Sequence, residues 1–420
     1  MRRPLLIALS LLPFACATLP PVDAALHGDL ATLRRSIGTE QRRGSLDREN
    51  AGKIARAVAE REVYSGTGPG ATARIRSLRA CALPVMGALE ARAERQDEPA
   101  AEATLVLLAN RRVEAETLAS RYEDADSGAW RAVAARASLE PARFAKRRQY
   151  FVDPDQRVRR AALEAALEAP ASLDRAALFE AARLDPDLYC RGLATRALGA
   201  IGDAEAVRAL LDLWEQAEDD ADRVTIVEAF GKRETFEAGG RAELLRLAEA
   251  GPGVPSVAAA GTLLRVDPTA SPRAKALLAR ALTDGSTDEQ RLAIQLLPLD
   301  AATQKLLDGA AKDADAGVRV AALERLLEVP AARQRALAAL RNEAKPDAEG
   351  ADAARSALAR ARDASVGPGL VKALTSPAWQ KRQDAGLALV ALGDYAHAST
   401  LLADDDANVR VAVACRILGN

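Results

Sequence analysis

An arginine recurs through this chain at intervals that a single compact core would have no reason to impose. In the clearest copies it follows a turn rich in aspartate, directly after a valine, and precedes a run of small and apolar residues. The three clearest copies are DPDQRVRRAALEAAL (153–167), KDADAGVRVAALERLLEV (312–329) and DDDANVRVAVACRIL (404–418). Weaker copies lie at 185–203, 219–230, 286–297 and 376–394. Aligned on the arginine they fall at 159, 191, 223, 291, 319, 382 and 410, with Ser256 and Arg355 filling the slot in degenerate copies. The steps run from 27 to 36 residues, and two backward steps of 28 reach Arg131 and Ala103. A fixed period of this length marks an array of small supersecondary units.

The slots around the anchor have a consistent chemistry. Three residues on stand Ala162, Ala194, Ile226, Ala259, Ile294, Ala322, Leu358, Ala385 and Val413, all apolar. One helical turn further, Ala166, Leu198, Phe230, Leu263, Leu326, Leu389 and Ile417 continue the stripe, while Pro298 and Arg362 break it. This is the spacing of one buried helix face. Second helical runs lie between the copies, for example at 204–217 and 272–284. Each unit therefore reads as a helix hairpin, and the fold class as all-α: an α-solenoid of eleven or twelve stacked antiparallel hairpins that share one continuous core. Composition agrees, because aromatics are 3% and Ala, Leu, Arg and Glu, all strong helix formers, dominate.

The D-x-D-x-x-V-R-x-A-A turn at 153–167 and the A-L-G-x-I-G-D exit at 197–203 resemble the HEAT repeat family, in the short bacterial form named after phycobilisome lyase subunits. The resemblance covers about residues 70–420. It implies the solenoid but leaves function open, since the family includes scaffolds, adaptors, lyases and a metal-dependent hydroxylase. The hydroxylase branch, as the resemblance implies it, holds two irons with repeated His-Glu pairs. Here His27 precedes Gly28 and His397 precedes Ala398.

The first residues, MRRPLLIALSLLPFACATLPP, have the layout of an export signal: Arg2 and Arg3, then a short apolar run, then small residues. Ala15-Cys16-Ala17 fits ordinary signal cleavage. Phe14-Ala15-Cys16 resembles a lipobox, which would make Cys16 a diacylated mature N-terminus, and this reading is favoured because the Pro-containing TLPPVD follows like a tether. The chain then divides into a signal (1–16), a tether and helical N-terminal cap (17–64), a Gly-rich linker (65–70) and the repeats (71–420). The expected location is the bacterial envelope, membrane-anchored and outside the cytoplasm. Cys81, Cys190 and Cys415, odd in number and widely spaced, read as small buried hydrophobes.

Chemistry-bearing motifs are few. SGTGPG (65–70) lacks the G-K-[ST] ending of a phosphate loop. Asp313 with Asp315, Asp124 with Asp126, and Asp404–Asp406 lack the continuing acidic ligands of a calcium loop, so helix capping is expected at Asp313 and Asp315. With two histidines and no G-x-S-x-G, neither a zinc site nor a nucleophile with its base is expected. We expect no enzyme and no cofactor. The 58 basic and 59 acidic residues, net charge −1, argue against nucleic acid.

Expected structural anchors are Asp153 with Arg159, Asp185 with Arg191, Asp313 with Arg319, and Asp404 with Arg410, each guanidinium tying neighbouring units. Expected partner-facing residues are Lys146, Arg147, Arg148, Arg160, Glu164 and Arg196. The function this suggests is a monomeric, lipid-anchored, protein-binding scaffold of the envelope. Two alternatives are a lyase-type enzyme or accessory with a deep polar pocket, and binding of lipid or envelope polymer through the basic turn at 143–160. The last copy has no evident cap, so Val411, Val413, Cys415 and Ile417 are expected to form a docking end.

Overall fold

The computed structural model describes residues 19–419, all helix and turn; Cys16 lies outside them. Four helices open the chain: α1 (Pro21–His27), α2 (Leu30–Arg43), α3 (Arg48–Tyr64) and α4 (Pro69–Ser77). Eleven hairpins follow. Their second helices are Glu98–Ala109, Gly128–Arg136, Gln156–Glu168, Leu188–Ile201, Asp220–Phe230, Val254–Val266, Thr287–Leu296, Ala316–Leu326, Ala351–Arg360, Trp379–Leu392 and Ala407–Gly419. Each packs on the next along the array, whereas the first helices of the hairpins touch one another far less. The second helices therefore line the concave side.

The apolar stripe lies where its spacing places it. All nine residues three places after the anchor are buried, from Ala162 to Val413. The two breaks in the next slot have a simple cause. The helices Thr287–Leu296 and Ala351–Arg360 end before that slot, so Pro298 and Arg362 fall in the turns beyond them. One apolar core runs from Ala24 to Ile417.

The A-L-G-x-I-G-D exit is set by close approach. A Cβ on Gly199 would sit 2.8 Å from the Ala229 Cα, on the next second helix, and Gly202 closes its helix at φ 73°. Gly199→Ala is expected to cost about 1–3 kcal/mol by overpacking, measured by urea denaturation; an unchanged midpoint would mean that the two helices separate freely.

Five of the anchor arginines, Arg131, Arg159, Arg319, Arg382 and Arg410, share one geometry: two carbonyls of their own turn and a carboxylate of the neighbouring unit. Arg191 and Arg291 reach only the carboxylate, and Arg223 only a carbonyl. Arg159 donates to the Asp153 and Pro154 carbonyls of its own turn and, through Nε and Nη2, to Asp185 of the next unit at 2.8 and 3.1 Å. Arg319 clamps the Asp313 and Ala314 carbonyls and Glu343; Arg382 clamps the Ser376 and Pro377 carbonyls and Asp404. Arg131 does the same with Asp153, and Arg191 reaches Asp222 at 3.3 Å. In the stretch 312–329, Asp315 caps its helix by accepting from the Val318 N–H, while Asp313 accepts from the Asp315 N–H.

These turn carboxylates couple stability to pH. The Arg157 side chain holds the Asp155 carboxyl below its usual range, the Val318 N–H does so for Asp315, and the Thr269 hydroxyl with Arg241 brings Asp267 down to about 2. A folded pKa below the unfolded one contributes stability that is present above the unfolded carboxylate range and lost as pH falls through the folded values. The thermal midpoint should therefore hold from about pH 7 to 5 and fall between about pH 4 and 2. Asp267→Asn should flatten the most acidic part of that fall.

The array closes head to tail. The last second helix, Ala407–Gly419, lies against α3 and α4. Its anchor, Arg410, grips the Asp404 and Asp405 carbonyls as its counterparts do, but the carboxylate it meets is Glu62 of α3, at 2.5 and 2.8 Å. Arg34 of α2 binds the Ala403 carbonyl and Asp405. Cys81 and Cys415, 334 residues apart, form a disulfide. Two expectations are corrected. Val411, Val413 and Ile417 are buried, so the C-terminal end is no open docking surface. Of the three cysteines in the described residues only Cys190 is a buried free thiol, pushed up to about 12 by burial.

Candidate interaction surface

Five places after each anchor, the side chains of consecutive second helices meet. Arg196 faces Glu228 at 3.5 Å, and Glu324 faces Arg360 at 2.6 Å. Gly261 meets Leu296, and Cys415, in the same slot of the last unit, carries the disulfide. The concave side is thus held by neighbouring opposite charges instead of presenting a field of one sign.

One region departs from simple pairing. α4 and the second helices of the first three hairpins enclose a cavity of about 130 Å³. Its floor includes Leu105, Val106, Ala129 and Ala132; its rim is charged. Glu164 sits among three guanidiniums: Arg160 at 3.1 Å, Arg79 at 3.6 Å and Arg136 at 3.8 Å. Arg79 comes from the turn after α4, so its reach to the third hairpin passes over two intervening second helices, which requires tight local curvature. Arg76 pairs with Glu102, and Arg157 with Asp155 and Glu98. Arg76 and Arg79 keep 44% of their side-chain surface exposed. Five arginines and three glutamates line the space over an apolar floor, and two further carboxylates, Asp155 and Glu168, engage Arg157 and Arg136 from beside it. This arrangement can grip an extended peptide carrying an acidic side chain beside a small apolar one.

The expected partner-facing residues separate. Arg160 and Glu164 line the cavity. Arg196, on the fourth second helix, lies outside the cavity, beside Glu228, Lys232 and Arg265. The basic turn at 143–160 does not form one exposed patch, which corrects that expectation. Arg147 is fully buried and paired with Asp174 of the next hairpin, itself fully buried. Arg143 pairs with Glu116 and Glu123, Lys146 with Asp124, and Arg159 with Asp185. Arg148 donates to the Leu173 carbonyl. Arg157 and Arg160 have local partners in Asp155 and Glu164, but those of Arg143, Lys146, Arg147, Arg148 and Arg159 lie about one repeat away and are not visible in the local sequence.

Arg76, Arg79, Arg136 and Glu102 were not singled out from sequence. Their spacing of 26 to 28 residues, Arg76 to Glu102 and Arg136 to Glu164, was the available signal, hidden by the uncertain repeat register before residue 100.

Stacked antiparallel hairpins with a recurring inter-unit arginine clamp define an all-α helical-repeat solenoid. Residues 144–235 match the family of HEAT repeats. None of the curated proteins matches it. Among solved structures, an engineered protein from the Northeast Structural Genomics Consortium shares 19% identity, covering 89% of this chain and 99% of its own, with a TM-score of 0.28.

Proposed function

We propose that this chain is a non-catalytic, protein-binding scaffold of the bacterial envelope, of the short lyase-named HEAT type, tethered through a diacylated Cys16. The observation that carries the binding role is the concave cavity around Glu164, a charged rim over an apolar floor. HEAT repeats commonly serve protein interaction, which agrees with that reading. The Cys81–Cys415 disulfide supports an oxidising compartment, where such bonds persist.

Polar groups converge on the cavity, as a lyase-type reading requires. Its candidate bases, Glu98, Glu102 and Glu164, are however each engaged by arginine, Glu98 by Arg157, Glu102 by Arg76 and Glu164 by Arg79, Arg136 and Arg160, and no histidine, cysteine, serine or lysine joins them in the lining. Its volume is also below the roughly 300 Å³ typical of sites that enclose a cofactor. The scaffold reading is therefore the better supported.

The test is cross-linking and affinity capture of the full-length chain from envelope membranes, with Arg79→Glu/Arg160→Glu and Cys16→Ala variants alongside. The expected result is an envelope protein retained by the wild type and lost by the cavity variant at unchanged thermal midpoint. Retention by both would move the interface elsewhere. A wild-type N-terminus free of acyl chains by mass spectrometry would end the anchor proposal.

A further inference from the structure

A second cavity, independent of the one around Glu164, exists only because the array closes. It measures about 430 Å³ and is lined by four arginines from three distant parts of the chain: Arg48 at the start of α3, Arg360 and Arg362 at the end of the ninth second helix, and Arg416 in the last helix. No carboxylate lines it. Arg360 is engaged by Glu324, whereas Arg48, Arg362 and Arg416 have no ion-pair partner among the described residues. Tyr395 adds a hydroxyl to the wall.

Local structure does not account for this gathering. A cation near a helix C-terminus is favoured by the helix dipole, which covers Arg360 and Arg416. Arg48 is the first residue of α3, at the positive end of that helix, where a cation is disfavoured. The adjacent acids are occupied: Asp47 accepts from the Asn50 N–H, and Glu49 binds Lys53. Arg362 has φ 60°, a conformation that normally selects glycine or asparagine at a helix end. Its backbone is held there as the Asp363 N–H donates to the Leu358 carbonyl. A large non-glycine side chain at a positive φ, beside three like charges, carries a local cost that its place past a helix end only partly offsets.

We propose that this seam cavity is a binding site for a multiply charged phosphate group. Planar guanidiniums from separate parts of the chain match phosphate oxygens in bidentate fashion, and a single-charge anion would leave most of the charge of Arg48, Arg362 and Arg416 uncompensated. The group can belong to a soluble pyrophosphate-type compound or to an anionic phospholipid headgroup.

Titration calorimetry at low salt with inorganic pyrophosphate, together with flotation on phosphatidylglycerol and on neutral phosphatidylcholine vesicles, separates the sources. The neutral vesicles give the contribution of any lipid anchor. Arg362→Gly is the most informative variant, because it removes the charge while relaxing the backbone. It and Arg416→Gln should each weaken binding about tenfold, and Arg48→Gln should add to either, with thermal midpoints unchanged or, for Arg362→Gly, raised. Arg121→Gln, on the second hairpin and away from the cavity, should have no effect. Pyrophosphate binding that the cavity variants weaken supports a soluble ligand. Preference for the anionic vesicles, lost in the same variants, supports a headgroup. Absence of both, or variants that bind as tightly as the wild type, overturns the proposal.

Discussion

Cys81→Ser combined with Cys415→Ser is expected to lower the thermal midpoint more than any single surface change in this chain. In the chain-entropy view a cross-link spanning 334 residues restricts the unfolded state by about 6 kcal/mol, just above the range found for disulfides. A linear solenoid loses structure from its ends, because a terminal unit has one neighbour instead of two. Here the bond, with Arg410–Glu62 and Arg34–Asp405, gives the last hairpin a second neighbour. In the oxidised protein, amides of α3 and of the last helix should therefore exchange as slowly as those of the middle hairpins. In the double variant they should exchange first, and small-angle scattering should show a larger radius of gyration. If midpoint, exchange and radius all match the oxidised wild type, the seam holds without the disulfide.

Asp174→Ala should cost about 3–5 kcal/mol, the effect of leaving a buried charge uncompensated. Arg147 and Asp174 are both fully buried, Arg147 on the first helix of the third hairpin and Asp174 in the turn that opens the first helix of the fourth. The Arg147 guanidinium also reaches the Ser138 and Ala165 carbonyls, at 3.3 and 3.4 Å, and lies over the Phe144 ring. Burial raises the Asp174 carboxyl above its usual range, so the pair persists only because each charge supports the other. Arg147→Met with Asp174→Leu should recover most of the loss, since well-packed apolar residues often replace a buried pair at little cost. Equilibrium denaturation of the two variants decides this. A mild Asp174→Ala would mean that water reaches Arg147.

Much of the fold was legible because a hairpin is built from local signals. The aspartate turn, the anchor arginine and the apolar residues three and seven places on all lie within one turn-and-helix segment. Burial from Ala162 to Val413 followed from that spacing. The candidate site was less legible. Arg160 and Glu164 could be named from their helix, but Arg79, which completes the ring around Glu164, sits 85 residues away in a segment without a readable repeat register. Arg147 misled for the same reason: its charge is local information, whereas the Asp174 that buries it belongs to the next unit.

The amino-acid sequence by itself determined the unit, its period and the clamp that joins one unit to the next, since each depends on residues within one or two repeats. Only the tertiary structure decided that the array closes. Closure depends on curvature accumulated over eleven hairpins, each adding a small rotation fixed by side-chain packing, and no local pattern records that sum. The seam it creates joins Arg410 to Glu62 and Cys415 to Cys81. It also brings Arg48, Arg362 and Arg416 around one cavity, which no reading along the chain would place together.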